Sequence, residues 1–349
     1  MWKGNNFADR LEKYQITIKQ DLSYNQIKNK RMKKISVVVL FAFACNLAFA
    51  QVGDNKRSSF QLSFISPVGT NGKHSAEYTN RYSFNLLVGV SKNEERLTLG
   101  GLSNIILNDA KGVQIAGLSN YVGNRGEGVQ WAGLANMNKG KFHGLQVAGL
   151  FNTAADVSGV QIGGLLNIAK NVKGVQLAGL VNIAENSDVP IGLINIIKNG
   201  EIGIAITYDG IGNTLASFRS GGRYTYGILG VGYNHKIKKN GLVVEAGLGA
   251  HIPVVKWFRI NNELKATTIG HYNDDESRKL VFNAGYSLLP AFRIGHHFEL
   301  FGGASINYME TKNKNVGNVF PNHSLWKGDN SAKLQQVYMG YQVGAQFIF

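Results

Sequence analysis

A nine-residue motif, G-[VL]-Q-x-[AG]-G-L-x-N, recurs through the first half of the chain and constrains the fold more than any other feature. A polar connector of six or seven residues separates successive copies. The Gly-Leu-x-Asn half occurs seven times, and its asparagines are spaced 16, 16, 16, 15, 15 and 13 residues apart. Self-similarity at such a period predicts one supersecondary unit that is used repeatedly.

The polar positions of the motif predict a β-strand. Gln and Asn lie six residues apart in five copies, which places both on one face of a strand but about 120° apart around a helix. Two or three glycines in nine residues, with three in 159–167, also disfavour a helix. These amides, the repeat polar file, are Gln114, Asn120, Gln130, Asn136, Gln146, Asn152, Gln161, Asn167, Gln176 and Asn182.

Two assemblies of these strands fit the spacing. The favoured one is an antiparallel meander with one strand per repeat, since a membrane-crossing strand needs roughly 9–11 residues. Asn199-Gly200 between apolar runs is a strong hairpin pattern and supports the meander. In such a wall the polar file would face the lumen and bond across strands. The alternative is a β-solenoid over residues 101–197, in which Gln and Asn stack into ladders from coil to coil.

The second half of the chain alternates apolar and polar residues in segments of about ten, the pattern of a transmembrane barrel strand. Phe258, Ile260 and Leu264, for example, oppose Arg259, Asn261, Glu263 and Lys265. The last segment carries an apolar file that ends at Phe349, and a soluble protein rarely exposes such an edge strand. This ending resembles the C-terminal insertion signal of outer-membrane barrels, with Tyr341, Val343, Phe347 and Phe349 as its residues. The resemblance implies contact with the barrel-assembly machinery during insertion.

The start of the chain predicts export. Met32-Lys33-Lys34, an apolar run of about ten residues and Ala48-Phe49-Ala50 form a signal peptide over residues 32–50, cleaved between Ala50 and Gln51. Residues 1–31 are interpreted as an upstream extension before the true start. The mature chain, residues 51–349, then has no cysteine and carries its positive charge in dispersed loops. We therefore expect no disulfide, no thiolate chemistry and no nucleic-acid partner.

The motif array, residues 66–72 and the exit Pro190-Ile191-Gly192-Leu193-Ile194-Asn195 resemble a bacterial surface repeat-containing family found in bacteroidete-type and spirochaete bacteria. The resemblance covers most of residues 58–349 and implies an envelope-exposed protein, but it carries no assigned activity. Pro190 stands where the other units have Gln, which suggests that the array ends there.

Residues that could support chemistry do not converge in the sequence. The adjacent His296 and His297 would face opposite sides of a strand, and residues 274–276 lack the spacing of a calcium loop. His323-Ser324 lies in a polar segment without an ordering carboxylate. We therefore expect no catalytic residues, no metal and no cofactor.

The sequence as a whole predicts an all-β protein: an antiparallel transmembrane β-barrel of roughly 14–18 strands with a repeat-built N-terminal half. Residues 58–197 would include the array and residues 198–349 the C-terminal barrel strands. We expect it in the lipid of the cell outer membrane, as a non-enzymatic structural protein or passive pore. The alternatives are a surface β-solenoid that acts as an adhesin or binding protein and, less favoured, an outer-membrane lipid hydrolase. No extracellular ligand can be named.

Overall fold

The computed structural model describes residues 56–237, 241–272, 278–312, 319–330 and 333–349. The predicted signal peptide, its cleavage site at Ala50 and Gln51, and the acidic residues 274–276 lie outside this part of the chain. All the described strands belong to one compact unit, Asn55–Phe349. Within these ranges no helix is both long and apolar enough to cross a membrane.

The repeats stack as a parallel β-solenoid, which is the N-terminal half of this unit. Each coil has a longer strand that carries the motif's Gln and a shorter strand that carries its Asn, joined at a Gly-Leu corner. Strand residues of the repeats pair with their counterparts in the next coil, as Gln146 does with Gln161 and Asn152 with Asn167. A 3₁₀-helix, Gly72–Glu77, lies in the first coil. The strands are β1 (Lys56–Ile65), β2 (Val68–Gly69), β3 (Tyr78–Ser91), β4 (Asn93–Gly100), β5 (Ser103–Ile106), β6 (Ala110–Ala116), β7 (Ser119–Val122), β8 (Gly126–Ala132), β9 (Ala135–Asn138), β10 (Phe142–Ala148), β11 (Phe151–Thr153), β12 (Asp156–Gly163), β13 (Leu166–Ile168), β14 (Asn171–Ala178), β15 (Val181–Ala184), β16 (Asn186–Ile191) and β17 (Ile194–Ile197).

The C-terminal half is a closed antiparallel β-barrel. Eight of its described strands pair in chain order, and the first, β18, pairs with the last, β26, to close the wall. A short additional strand, β25, pairs with the beginning of β26. The strands are β18 (Glu201–Asp209), β19 (Asn213–Gly221), β20 (Thr225–Asn234), β21 (Leu242–Val255), β22 (Phe258–Tyr272), β23 (Arg278–Ile294), β24 (Phe298–Thr311), β25 (Trp326–Asn330) and β26 (Lys333–Ile348).

The prediction that each repeat forms one strand of an antiparallel barrel wall is wrong. Each repeat forms a two-stranded coil, and the alternative of a β-solenoid over residues 101–197 followed by a barrel is confirmed, with the stack starting earlier, at β1. Apolar-polar alternation is the same in parallel and antiparallel strands, so it could not decide between the assemblies. The expected number of roughly 14–18 barrel strands is also too high. The closed wall has eight strands, because the repeats do not belong to it.

Glycine fixes the spacing between coils. The glycine before each Val-Gln or Leu-Gln pair has a left-handed backbone, with φ of +140° at Gly159, where other residues are strained. A Cβ at Gly159 would lie 2.1 Å from the carbonyl oxygen of Gly144 in the coil before. At the corner, a Cβ at Gly164 would lie 2.0 Å from the carbonyl oxygen of Gly149. The motif's glycines are therefore required by the close approach of identical positions.

The Asn199-Gly200 pair lies at the junction between the two halves. It follows the last solenoid strand, β17, and precedes the first barrel strand, β18, which belong to different sheets. The prediction that it closes a hairpin within the barrel is therefore wrong. The turn redirects the chain from the last coil into the barrel wall.

Candidate functional site

The asparagines of the repeat form one continuous hydrogen-bonded ladder inside the solenoid. Each side-chain amide donates from Nδ2 to Oδ1 of the next asparagine, at 2.9 to 3.2 Å. Its other amide hydrogen goes to a backbone carbonyl, as from Asn152 to Ile162 at 2.8 Å. The members are buried; in order they are Asn85, Asn104, Asn120, Asn136, Asn152, Asn167, Asn182 and Asn195.

The glutamines form a second ladder whose donors point the other way. Nε2 of Gln146, Gln161 and Gln176 each donates to Oε1 of the glutamine one coil earlier, at 2.6, 2.8 and 3.0 Å. Gln114 donates to the backbone oxygen of Lys111. Pro190 pairs beside Gln176 in the next coil and offers no amide, so the ladder ends there. All members of the repeat polar file are thus placed inside the solenoid and not in a barrel lumen.

The ladders are suited to holding coils together rather than to binding a ligand. Their amides are fully buried and most of their hydrogen-bonding capacity is used by neighbouring coils. The asparagine ladder ends on the barrel: Asn195 donates from its backbone nitrogen to Ser220 Oγ at 2.9 Å and from Nδ2 to the Ser220 carbonyl oxygen at 3.1 Å. The last coil is therefore bonded to strand β19.

The barrel interior holds a network of ion pairs and, beside it, a cluster of buried apolar side chains. Glu263 accepts from Arg219 at 2.8 Å and from Lys265 at 3.2 Å, and Lys265 also pairs with Glu245 at 3.1 Å. The Arg219 guanidinium lies 4.4 Å from the ring centroid of Phe301 and is almost completely buried. In a barrel of this size the side chains are expected to fill the interior.

A second cluster of charges lies nearer the end of the barrel that carries the C-terminus. Arg259 pairs with Glu299 at 2.7 Å and with Glu201 at 2.8 Å, and Arg293 also contacts Glu201. A cavity among Lys265, Asn283 and Tyr338 has a volume of about 30 Å³, which is on the scale of one water molecule. Around this cavity, which is also lined by Asp209 and Ile211, the side chains leave little open space.

The barrel exterior is apolar, which is the reverse of a soluble protein. Leu264 is 63% exposed on the outer wall, whereas its neighbours Glu263 and Lys265 point inward. The residues predicted as the insertion signal are all exposed: Tyr341, Val343 and Phe347 lie on the outer face of β26, and Phe349 follows the last residue of that strand. Charge inside and apolar side chains outside are the arrangement of a barrel surrounded by lipid.

The two ends of the barrel differ in their connections. At the end that carries the C-terminus, the strands are joined by the short segments 222–224, 256–257 and 295–297. Aromatic rings gather there, with Trp257 and Phe292 stacked at 6.1 Å and Phe298 and Phe347 in contact at 5.2 Å. At the opposite end, consecutive strands are separated in the sequence by residues 210–212, 235–241, 273–277 and 312–325, and three of these four intervals are longer than any interval at the first end. Short turns at one end, longer loops at the other and an aromatic girdle are typical of outer-membrane barrels.

The residues that could have supported chemistry stay apart. His296 and His297 lie in a turn, where His297 Nδ1 is 2.9 Å from the Ile348 carbonyl oxygen. His323 is exposed in the segment before β25. In the described part of the chain, no group of three or more His, Cys, Asp or Glu side chains is arranged to hold a metal ion.

The sequence pattern predicts that Arg259, Glu263 and Lys265 share one strand face, but it does not identify their partners. Those partners come from distant strands: Arg219 on β19 for Glu263, and Glu299 on β24 for Arg259. The available indication was the unusual run of charges at alternate positions opposite an apolar file. No protein-family model matches the chain, and no curated protein matches it either.

Proposed function

We propose that this protein is a non-enzymatic structural component of the outer membrane, with a lipid-embedded β-barrel that anchors a β-solenoid. The observation that carries the proposal is the inverted barrel, which buries Arg219 and Glu263 and exposes Leu264 and Phe349. Such a surface is stable only where its apolar belt is covered, and a bilayer covers it on all sides. The predicted signal peptide and the C-terminal file ending at Phe349 support export and insertion by the barrel-assembly machinery.

A closed structural barrel is favoured over a passive pore. The ion pairs of Arg219 with Glu263 and of Arg259 with Glu201 cross the lumen, and removing one charged partner would leave the other buried with a partner lost. The role we infer is therefore to hold the solenoid at the membrane.

The geometry also favours one orientation. The end with short turns carries the C-terminus and, in outer-membrane barrels, short turns are periplasmic. The solenoid joins the barrel at this same end, through Asn195 and Ser220. We therefore place the solenoid on the periplasmic side. A cell-surface adhesin would need the opposite orientation, and digestion of intact cells with an external protease distinguishes the two.

Membrane fractionation of cells that produce the full chain tests the proposal. We expect a mature protein that begins at Gln51, is recovered with the outer membrane, needs detergent for solubility and migrates differently on gels after heating. A monomer that is soluble without detergent would overturn the proposal.

A pair of charge insertions gives a sharper test. Leu264→Arg places a charge on the outer wall and should cost about 2–4 kcal/mol of folding free energy near the bilayer midplane. Leu325→Arg is the matched control, because Leu325 is just as exposed but lies before β25, outside the barrel strands. The fraction of protein that folds into lipid vesicles should fall for Leu264→Arg and should not change for Leu325→Arg. Equal folding of both would argue against lipid around Leu264.

A further inference from the structure

The solenoid carries a ridge of exposed leucines along its length. The corner leucines Leu118, Leu134, Leu150, Leu165 and Leu180, here the leucine ridge, are 39 to 48% exposed. Each lies directly against its counterpart, because the backbone nitrogen of Leu134, for example, donates to the carbonyl oxygen of Leu118. An exposed apolar surface that repeats coil after coil is rare on soluble proteins and marks a contact surface.

Apolar files flank the ridge on both sides. The file on the longer strands includes Ile115, Trp131 and Leu177, and the file on the shorter strands includes Ile168 and Ile196; all are exposed. The remaining perimeter is polar: the aligned positions at the start of the longer strands are Lys111, Glu127, His143, Ser158 and Lys173. The solenoid is therefore amphipathic along its axis.

The apolar face continues onto the barrel's outer wall. A groove is lined by Ile168, Ile183 and Ile196 of the solenoid together with Ile202 and Phe349 of the barrel. Ile202 on β18 pairs with Ser220 on the adjacent strand β19. The Ser220 side chain faces outward against the last coil. The groove thus joins the shorter-strand file to the barrel's apolar exterior.

The packing of the last coil explains this continuity. The last coil covers the outer face of the barrel at Ser220 and at Gly227, where a Cβ would lie 2.1 Å from the Leu193 carbonyl oxygen. Two lysines, Lys170 and Lys198, and one acidic residue, Glu185, border the same groove. Lysine at the edge of an apolar surface can extend its ammonium group to anionic lipid phosphates.

We propose that the leucine ridge and its flanking apolar files contact the acyl chains of the leaflet on the C-terminal side of the barrel. The solenoid then lies in the membrane interface, with its polar perimeter toward water and its lysines at headgroup level. The inference rests on the proposed function, because lipid around Ile202 and Phe349 is what brings a bilayer to the ridge. The face is too regular and too continuous with the barrel exterior to be explained by scattered surface leucines.

Fluorescence quenching in vesicles tests the inference. The full chain, with Cys45→Ser as background, receives a single cysteine at Leu180, at Ser158 or at Leu264, each labelled with a polarity-sensitive dye. Leu180→Cys reports the ridge, Ser158→Cys the polar perimeter and Leu264→Cys the barrel wall. Vesicles of phosphatidylethanolamine and phosphatidylglycerol contain either ordinary lipid or lipid brominated on its acyl chains, and iodide in the buffer quenches dyes in water.

We expect brominated lipid to quench the dyes at Leu180→Cys and Leu264→Cys to comparable degrees, and iodide to quench the dye at Ser158→Cys alone. Lipid quenching at Leu264→Cys without quenching at Leu180→Cys would overturn the inference and leave the barrel proposal standing. Protection of the dye at Leu180→Cys from both quenchers would also overturn it and indicate that a second copy covers the ridge. Lack of lipid quenching at Leu264→Cys would instead reject the proposed function.

Discussion

Glu94 is a carboxyl group buried inside the first coils of the solenoid. Its Oε1 accepts hydrogen bonds from Ser83 Oγ at 2.7 Å and from Asn80 Nδ2 at 3.1 Å. Burial raises the pKa of Glu94 above its ordinary value, because the charged form loses hydration. The folded state therefore binds this proton more tightly than the unfolded state does, and folding stability falls as pH rises above the unfolded pKa.

Glu94→Gln should stabilise the protein at neutral pH by on the order of 1 kcal/mol, because the amide is not ionised. Near pH 4 the gain should vanish, since the wild-type carboxyl is then protonated when folded. Urea unfolding in detergent at both pH values measures the difference. Glu127→Gln, at an exposed position of the solenoid, is the matched control and should change little. An equal gain in unfolding free energy for Glu94→Gln at both pH values would contradict the raised pKa of Glu94.

Asn152 lies in the middle of the asparagine ladder, where it accepts from Asn136 and donates to Asn167. Asn152→Ala leaves both neighbours with an unmet buried group and should cost about 2–4 kcal/mol of unfolding free energy. Asn124→Ala is the control, because Asn124 bonds to Asp109 on the exposed connector. Denaturant midpoints of the two variants measure the contrast, and similar midpoints would show that the ladder contributes little.

At the scale of the element, one coil shows what the sequence could reveal and what it could not. The strand over Gly159–Gly163 was predictable, since Gln161 points inward and Ile162 outward as alternation requires. Strict alternation would also place Leu165 on the face of Gln161 and Asn167, yet Leu165 is 45% exposed. The chain turns at the Gly-Leu corner, and that turn breaks the alternation while it returns Asn167 to the interior.

The same coil provides a test of the glycine requirement. Gly159→Ala combines a left-handed backbone with a clash against Gly144 of the neighbouring coil, so we expect a loss above about 2 kcal/mol. Ser158→Ala, one residue earlier and exposed, should be close to neutral. Thermal unfolding followed by circular dichroism compares the two. A stable Gly159→Ala protein would mean that coils can separate without cost.

At the scale of the molecule, the sequence predicted which side chains share a face of the barrel wall, but not which ion pairs form in the lumen. Alternation separated Glu263 from Leu264, and that is enough to say which side chains share a face. The pairing of Glu263 with Arg219, and of Arg259 with Glu299, depends on strand tilt and on a closed wall of eight strands. A local sequence pattern predicts neither the strand tilt nor the closure of the wall, because the paired residues are far apart in the chain.

Ion conductance tests whether the described network closes the lumen. The full chain in a planar bilayer should give no sustained conductance, because Arg219, Glu263 and Lys265 occupy the interior. Insertion is verified in the same preparation by the heat-dependent gel migration. Steady ion steps from the inserted wild-type protein would overturn the closed-barrel assignment and restore the passive pore.

The asparagine ladder has different hydrogen-bond partners at its two ends than in its middle. It starts at Asn85, whose Oδ1 accepts from Gln61 and Ser63, and it stops on the Ser220 carbonyl oxygen. Between these two caps every coil offers the same donor on one side and the same acceptor on the other. Duplicating or deleting a whole coil would therefore leave no asparagine amide without a partner. The length of the solenoid can thus change during evolution by one coil at a time.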